Sequence, residues 1–272
     1  MTSAAARIAG EAAGTPVPHR PLYPRSLEGK VALVVGGAGA IGGATSRMLA
    51  QAGATVAVTH MPSEADARAA QALVSELGDG HAAFPADVIE TETLIEVRDQ
   101  IAARYGRLDI LVNAAGFTRP VPHADLDALT DELIDRMFQV NWRGQFASVR
   151  TFAPLLKASG DGLIVSISSI AAFTGVGSSI AYCAAKAGID VMTKALARAL
   201  APEIRVLAIS PGVVDTAFVP GRGADFNDKV TSSTPLRRIA EADDIAAAIT
   251  ACATMLGYST GHIIQVDGGR AL

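Results

Sequence analysis

The chain has 272 residues, half of them apolar, and is long enough to bury the core of one α/β domain. A formal net charge of −4, without a long Lys/Arg run, argues against nucleic acid or an anionic membrane surface as the main partner and favours a small molecule. Cys183 and Cys252 are too few and too far apart for a disulfide framework or a CxxC metal site, which fits a reducing cytoplasm.

The first 25 residues carry four prolines, Pro16, Pro18, Pro21 and Pro24, and no continuous apolar segment. Proline excludes a long helix here, and the missing apolar segment argues against a secretory signal. We interpret residues 1–25 as a flexible tail and residues 26–272 as one catalytic domain. The longest uncharged stretch, residues 162–185, is interrupted by serines and glycines, so we predict no transmembrane segment.

After the tail, short runs rich in β-branched residues alternate with longer amphipathic segments. The short runs are apolar throughout, as in strands buried on both faces of a parallel sheet, and the longer segments suit crossover helices. This pattern predicts a Rossmann-like, doubly wound parallel sheet in a three-layer α/β domain. The predicted strands are VALVV at 31, ATVAVT at 54, LDILVN at 108, GLIVSI at 162, IRVLAI at 204 and HIIQV at 262, and the predicted crossover helices include Glu64–Leu77, Thr91–Tyr105 and 245–256.

A glycine-rich segment follows the first predicted strand and opens the first helix. Gly37, Gly39 and Gly42 fit the GxGxxG pattern, in which glycine lets the backbone approach a pyrophosphate and the helix N-terminus meets its negative charge. The pattern alone is weak and could reflect tight packing. The strand-loop-helix context favours a dinucleotide site.

Tyr182 and Lys186 are four positions apart in a predicted helix, which places a phenol beside an ammonium group. A nearby cation lowers the pKa of a phenol toward the range in which it can act as an acid or base. Such a pair by itself is usually structural. Ser168 and Ser169, however, end an apolar strand at the edge where open parallel sheets bind their ligands.

With these motifs, the chain from about Leu27 to Gly269 resembles the compact branch of the short-chain dehydrogenase/reductase family. Ser169 stands thirteen positions before Tyr182, as the family's catalytic serine does, and Asn113–Gly116 reads NAAG. The glycine loop departs from the compact pattern, since Ala40 replaces its middle glycine and Val35 its threonine, and Gly36, Gly39 and Gly42 fit the spacing of the extended branch.

The resemblance implies the catalytic set Asn141, Ser169, Tyr182 and Lys186. Ser169 would bind the substrate oxygen, and Tyr182 would exchange its proton as hydride moves to or from the nicotinamide. Lys186 would lower the tyrosine pKa and hold the nicotinamide ribose. Asn141 would bend its helix and hold a water leading to Lys186, although it could be an ordinary helix asparagine. Ser168 is expected to be structural.

The resemblance also implies a set of cofactor contacts. Asp87 would meet the adenine ring and Asn113 would steady the sheet, but they could equally be a turn residue and a strand-end hydrogen bonder. The segment that begins at Pro211 would lie beside the nicotinamide, or be a plain proline turn. The full expected set is Gly36, Gly39, Ala40, Ile41, Gly42, His60, Asp87, Val88, Asn113, Ala114, Gly116, Tyr182, Lys186, Pro211, Gly212, Val214 and Thr216.

The residue after the second strand indicates which nicotinamide cofactor is used, because an acid there binds the ribose 2′-hydroxyl of NAD and repels the phosphate of NADP. This chain has His60, and His60 and Ser63 could donate hydrogen bonds to a phosphate. We therefore predict NADP(H) over NAD(H), although no Arg or Lys follows at Met61. The five histidines are scattered, so we expect no catalytic metal.

The segment from Ala217 to Pro235 is long, polar and glycine-rich, as a substrate lid would be. The expected substrate is a ketone or secondary alcohol, with a 3-oxoacyl thioester and a cyclic ketone as two options. Candidates for an apolar pocket are Phe117, Thr118, Phe173, Val176 and Phe218. The resemblance further implies a homodimer or homotetramer that pairs the long helices around Asp131–Lys157 and Ile180–Ala201.

Two rival functions stay open from the sequence. The glycine spacing suggests a sugar-nucleotide epimerase or dehydratase of the extended branch, but that branch carries a further substrate domain and the last predicted strand motif here ends at Gly269. A non-catalytic dinucleotide sensor would be expected to lack part of the catalytic set.

Overall fold

The computed structural model describes residues 23–221 and 225–272. Residues 1–22 of the predicted tail and residues 222–224 of the predicted lid lie outside the described residues. The described chain forms a single seven-stranded sheet in the order β3-β2-β1-β4-β5-β6-β7, with every neighbouring pair parallel. The predicted doubly wound fold is confirmed. The strands are β1 (Val31–Val35), β2 (Thr55–His60), β3 (Ala82–Pro85), β4 (Ile110–Asn113), β5 (Gly162–Ile167), β6 (Ile204–Pro211) and β7 (Ile263–Val266).

Strand β3 is absent from the sequence prediction. Its four residues, AAFP, lack β-branched side chains, and the strand exists because it pairs with β2 at the edge of the sheet, with Ala82 beside Ala57. Pro85 is compatible with this place, because proline is tolerated on edge strands.

The helices cover both faces of the sheet. The structure corrects the prediction in three places: the long helix around Asp131–Lys157 is interrupted by a π-helical segment at Gln139–Arg143, the lid segment contains a helix, and the helix predicted at 245–256 begins and ends earlier. In the described chain the helices are α1 (Ala40–Gln51), α2 (Glu64–Leu77), α3 (Thr91–Tyr105), α4 (Asp131–Phe138), α5 (Gly144–Ala158), α6 (Ala171–Thr174), α7 (Ile180–Leu200), α8 (Phe226–Ser233) and α9 (Ala242–Thr254).

Two hydrophobic cores, one on each face of the sheet, follow from the alternation of side chains along its strands. In β1, Ala32 and Val34 contribute to the core under α1, α2 and α9, whereas Leu33 contributes to the core under α3 and α5. All five residues of β1 are buried, as expected for a central strand of a doubly wound sheet.

Arg25 is already bound to the folded domain. The Arg25 amide donates a hydrogen bond to the Thr254 carbonyl at 3.0 Å, and its guanidinium pairs with Asp161 at 3.2 Å. These contacts lie on the last residue of the predicted tail, so the chain is held on the domain one residue before the predicted boundary.

Candidate active site

The carboxyl ends of the central strands open on a cavity of about 1090 Å³. It lies where the chain order of the strands reverses, between β1 and β4, which is the place where open α/β sheets bind ligands. Most of the residues expected from the sequence line it, while Asn113 and Asn141 do not. The expected residues in the lining are Gly36, Gly39, Ala40, Ile41, Gly42, His60, Asp87, Val88, Ala114, Gly116, Ser169, Tyr182, Lys186, Pro211, Gly212, Val214 and Thr216.

The glycine loop forms a close-packed cradle at the start of α1. Gly36 has a φ of 79°, and a Cβ added at Gly42 would lie 2.3 Å from the Gly36 carbonyl oxygen, so both positions require glycine. The first turn of α1 has no acidic residue and its N-cap, Gly39, has no side chain, so no side chain of its own caps the N–H groups there. This cradle fits a pyrophosphate group.

Thr59 anchors the glycine loop, a role that the sequence analysis missed. Its hydroxyl accepts a hydrogen bond from the Gly36 amide at 3.1 Å, and its carbonyl accepts one from the Gly37 amide at 3.0 Å. Thr59 is buried in β2, where its hydroxyl serves to hold the glycine loop. The approach of the two segments is a tertiary contact that sequence spacing does not show.

At the end of β2, His60 and Ser63, the two predicted phosphate donors, have different surroundings. His60 lines the cavity, and its Nδ1 lies 2.8 Å from the Met61 carbonyl oxygen, so Nδ1 carries the hydrogen. The Ser63 hydroxyl caps α2 and donates its proton to Asp66 at 2.5 Å, so it is engaged locally. Asp66 itself lines the cavity, which places a carboxylate near this end that the sequence analysis did not consider.

Asp87 forms the turn that was considered as one of its roles, and it lies in the lining of the cavity. Its Oδ1 accepts a hydrogen bond from the Ile89 amide at 3.0 Å, which closes the turn. Its own amide donates to the Thr93 hydroxyl at 3.1 Å. The carboxylate is therefore held in a fixed position at the cavity wall.

Asn113 lies within the sheet. It is 1% exposed at the end of β4, and its side-chain amide lies 3.4 Å from the hydroxyl of Ser166, the residue in register with it on β5. Its side chain thus joins two central strands beneath the cavity. This location agrees with the expected role of steadying the sheet.

Tyr182 and Lys186 lie near the N-terminal end of α7, which is capped by the Ser179 hydroxyl on the Tyr182 amide. The Lys186 ammonium is 5.6 Å from the centre of the Tyr182 ring and donates a hydrogen bond to the Ile167 carbonyl at 2.6 Å. Lys186 is 3% exposed, and this burial lowers its pKa to about 7, although the negative charge of Asp190 acts in the opposite direction.

Ser169 follows the end of β5 and faces the same cavity as Tyr182. Its hydroxyl oxygen accepts a hydrogen bond from the Ala171 amide at 3.2 Å. A hydroxyl that accepts in this way can still donate its own proton. The neighbouring Ser168 is buried, and its hydroxyl donates to Asp190 at 2.5 Å, so its side chain makes a structural contact as expected.

Asn141 is fully buried in the π-helical segment and joins two parts of the chain. Its side-chain amide donates to the carbonyl oxygens of Phe117 at 2.8 Å and Met137 at 2.9 Å, and its Oδ1 accepts from the Phe117 amide at 3.1 Å. These bonds fix the loop after β4, where Phe117 lines the cavity. The expected local bend in the helix is present as the π-helical segment.

Near Tyr182, the cavity is lined by three of the five residues predicted for an apolar pocket. Phe117, Val176 and Phe218 line it, and the Phe218 ring lies 6.3 Å from that of Tyr182. Phe173 lies outside the lining, and Thr118 is buried in a hydrogen bond with Ser178. The lining also contains residues for which the sequence predicted no role in the site, among them Arg136, Phe226, Ser233 and Arg270.

The described ranges, 23–221 and 225–272, contain no helix that is both long and apolar enough to cross a membrane. They also contain no cluster of three or more His, Cys, Asp or Glu residues that could hold a metal ion.

Comparison with known proteins defines the class to which this fold and site belong. A family model described as enoyl-(acyl carrier protein) reductase matches residues 36–271. The chain is 33% identical over 251 residues to the 3-oxoacyl-(acyl-carrier-protein) reductase of Thermotoga maritima, a match that covers 90% of this chain and 99% of the relative. It is 35% identical over 244 residues to the cis-4-hydroxycyclohexanecarboxylate dehydrogenase of Sinomonas cyclohexanicum, covering 88% and 96%.

A solved structure agrees with these matches over the whole domain. The blue fluorescent protein from a metagenomic library, in complex with NADPH, superposes with a TM-score of 0.82 at 32% identity and covers 91% of this chain and 100% of that one. The chain belongs to the short-chain dehydrogenase/reductase family. It is an NAD(P)-dependent oxidoreductase, and the relatives do not favour the epimerase alternative.

Proposed function

We propose that the protein interconverts a ketone and a secondary alcohol, with Tyr182 as the acid and base. The observation that carries this proposal is that Ser169, Tyr182 and Lys186 meet at one cavity whose other end is the glycine cradle. The distance of 2.6 Å between the Lys186 ammonium and the Ile167 carbonyl keeps the cation beside the Tyr182 ring. A nicotinamide cofactor, when bound, supplies or accepts the hydride.

Each side chain then has a separate task in reduction. The Ser169 hydroxyl donates a hydrogen bond to the substrate oxygen, since its own oxygen is already engaged by the Ala171 amide. Tyr182 gives its phenolic proton to that oxygen as it becomes an alkoxide. The positive charge of Lys186 stabilises the phenolate that remains. By the family resemblance, the Asn141 carbonyl would hold the water through which a proton returns to Lys186.

The residues that would hold the cofactor divide along the cavity. The glycine cradle and Ile41 would take the pyrophosphate, and Asp87, Val88, Ala114 and Gly116 the adenosine half. The segment from Pro211 to Thr216, with Gly212 and Val214, would take the nicotinamide half, and Lys186 its ribose. All of these residues line the cavity.

We infer NADP(H) as the cofactor, because β2 ends in His60 and not in the acid that binds a ribose 2′-hydroxyl. Asp66 is the group that opposes this choice, since a carboxylate in the cavity lining repels a 2′-phosphate. The structural neighbour in complex with NADPH supports the inference. Fluorescence titration with NADPH and NADH tests it, and preference for NADH in the wild type would overturn it. H60D should shift the preference toward NADH, and D66N should strengthen NADPH binding.

For the substrate we propose a 3-oxoacyl thioester or a cyclic ketone. One relative described above is named for a 3-oxoacyl group and the other for a cyclic alcohol, and their identities to this chain, 33% and 35%, are close. The apolar side chains Phe117, Val176 and Phe218 suit either class, while Arg136 and Arg270 in the lining suit the anionic groups of an acyl carrier. Parallel assays with acetoacetyl-CoA and cyclohexanone separate the two.

We also propose a homodimer or homotetramer. Val191 on α7 is 66% exposed, and the rings of Trp142 and Phe146, near the start of α5, stack with centroids 6.0 Å apart. Apolar side chains that remain exposed or half-buried on α7 and at the start of α5 are consistent with pairing between subunits. Light scattering coupled to size-exclusion chromatography tests this assembly, and a monomer at micromolar concentration would exclude it.

The decisive experiment for the reaction is Y182F, which deletes the hydroxyl and keeps the ring. Turnover should fall by about 10²-fold or more, because general acid catalysis is lost, while the dissociation constant for the cofactor should stay near that of the wild type. Y105F is the matched control, since Tyr105 donates to the Gly80 carbonyl outside the cavity and should leave turnover unchanged. Retained activity in Y182F would reject Tyr182 as the acid and base.

A further inference from the structure

Three consecutive residues at the end of β5 line the cavity, and the first two of them bond to helix α7. The Ile167 carbonyl accepts the hydrogen bond from Lys186, the Ser168 hydroxyl donates to Asp190 at 2.5 Å, and Ser169 faces the cavity. Ser168 is 1% exposed, so its hydrogen bond is shielded from water. The position of Ser169 relative to α7 therefore depends on two buried contacts made by its neighbours.

Asp190 extends the stripe formed by Tyr182 and Lys186, since it lies one helical turn beyond Lys186 on α7. It does not line the cavity, so it does not touch a bound substrate. Among the described residues, Asp190 is the charged group that favours the protonated form of Lys186. Asp190 in turn faces the Ser168 hydroxyl from β5 and the ammonium groups of Lys186 and Lys194 from its own helix.

The energetic problem that Asp190 addresses is the burial of Lys186. Taking an ammonium group out of water favours its neutral form, and a neutral amine would no longer stabilise a phenolate at Tyr182. Burial also raises the pKa of Asp190, while the Ser168 hydroxyl, Lys194 and Lys186 act to lower it. The hydrogen bond from Ser168 thus helps Asp190 to keep its negative charge next to Lys186.

We propose that Ser168 and Asp190 form a clamp that keeps Lys186 charged and holds Ser169 in register with Tyr182. Both are positioning residues, and the proposal rests on the function proposed above. The two variants D190N and S168A separate the two tasks. Asparagine keeps an oxygen that can accept the Ser168 hydrogen bond and loses the charge, whereas alanine at 168 keeps the charge and loses the hydrogen bond.

In the reduction direction, D190N should move the alkaline limb of the kcat/KM profile to lower pH by about one unit, the shift that the loss of one neighbouring charge produces. S168A should lower kcat several-fold, because Ser169 is less well held, with a smaller displacement of the limb. D190E restores the charge and should return the limb toward its wild-type position. The assay uses acetoacetyl-CoA or cyclohexanone, whichever the wild-type enzyme reduces.

A second measurement needs no turnover. In protein labelled with ¹³C-lysine, the Cε shift of Lys186, assigned by its absence in K186R, reports the titration of the ammonium group. Its midpoint should fall by about one unit in D190N and stay near the wild-type value in D190E. An unchanged midpoint in D190N would overturn the proposal, whether or not a substrate is found, whereas an inactive wild type with the shifted midpoint would reject only the proposed reaction.

Thermal melting and cofactor titration of each variant show whether it is folded. If D190N does not fold, the comparison of wild type with S168A still decides the clamp, because loss of the hydrogen bond should lower both kcat and the Lys186 midpoint. An S168A enzyme with unchanged kcat and midpoint would then contradict the proposal.

Discussion

The Lys186 ammonium donates a hydrogen bond to the Ile167 carbonyl at 2.6 Å, which holds the N-terminal part of α7 against the carboxyl end of β5. Ile167 precedes the serine pair, and Lys186 lies one helical turn after Tyr182, so this single bond fixes the proposed acid relative to the proposed oxygen-binding hydroxyl. The same bond buries the ammonium group. Lys186 is therefore placed for its task at a cost in stability.

That cost predicts how stability depends on pH. Burial lowers the folded-state pKa of Lys186 to about 7, below the ordinary value of 10.5, so between these values the unfolded chain binds more protons. Stability from this group therefore rises with pH across that window, by at most about 1.4 kcal/mol per unit. Urea unfolding at pH 7 and pH 9 should show the rise in the wild type and in K157M, an exposed control, but not in K186M. An equal rise in K186M would assign it to other groups.

The glycine cradle makes a second prediction, with an adjacent control. A Cβ at Gly42 would lie 2.3 Å from the Gly36 carbonyl oxygen, whereas one at Gly43 would lie 3.4 Å from the flexible Arg47 side chain and 3.7 Å from the Gly37 carbonyl oxygen, which are ordinary contacts. G42A should therefore distort the loop and weaken NADPH binding by at least about tenfold, a loss of about 1.4 kcal/mol. G43A should bind as the wild type does and gain up to about 1 kcal/mol from its helical position. Equal binding by both variants would show that the loop does not hold the cofactor.

Asp109 makes a third prediction, about stability away from the site. Its carboxylate is 2% exposed and accepts hydrogen bonds from Lys30 at 3.0 Å, from the Val31 amide and from two nitrogens of Arg107. Burial would raise its pKa, but these bonds outweigh burial and lower it. D109A leaves the buried Val31 amide without its acceptor and removes the hydrogen bonds of Lys30 and Arg107, whose side chains are partly exposed, so it should cost about 1–3 kcal/mol in chemical unfolding. E76A removes an exposed partner of Arg47 and should cost much less.

A fourth prediction concerns acid. His81 Nδ1 accepts a hydrogen bond from the Val56 amide at 2.9 Å, which requires an unprotonated nitrogen, and burial lowers the pKa of His81. A lowered folded-state pKa means that stability is present above the ordinary value of about 6.5 and is lost as pH falls below it. The urea midpoint of the wild type should drop more between pH 7.5 and pH 5 than that of H81N, whose amide oxygen can accept the same bond. A parallel drop in both would exclude His81 as the source.

Most strands and helices are predictable from patterns among residues that are neighbours in the sequence. The strands β1, β2, β4, β5, β6 and β7 and the helices α2, α3 and α7 follow from apolar runs and helical periodicity, because burial on two faces and a period of 3.6 leave a mark on neighbouring residues. The glycine loop was found for the same reason, since its residues are contiguous. The edge strand β3 left no such mark, because its pairing with β2 and not its composition makes it a strand.

The partners of polar side chains were beyond the sequence. Asn141 and Phe117 are 24 positions apart, and Ser168 and Asp190 are 22 apart, so their hydrogen bonds depend on how the elements pack. Ser63 and Asp66 are only three positions apart, but the presence of Asp66 in the cavity wall depends on how α2 packs against the end of the sheet, so this residue was missed as well. The sequence around Ser63 predicts that a helix begins at this point, but it does not predict which side chains of the helix face the cavity.

The fold class, the glycine loop and the spacing of Ser169, Tyr182 and Lys186 are evident in the amino-acid sequence, because hydrophobic periodicity and intervals along the chain do not depend on packing. The burial of Lys186 against Ile167, the charge of Asp190 beside it, and the bonds by which Thr59 and Asn141 hold the walls of the cavity appear only once the chain is folded. Burial and electrostatic environment are set by which elements meet in space, and these set the protonation of the groups that carry the proposed chemistry.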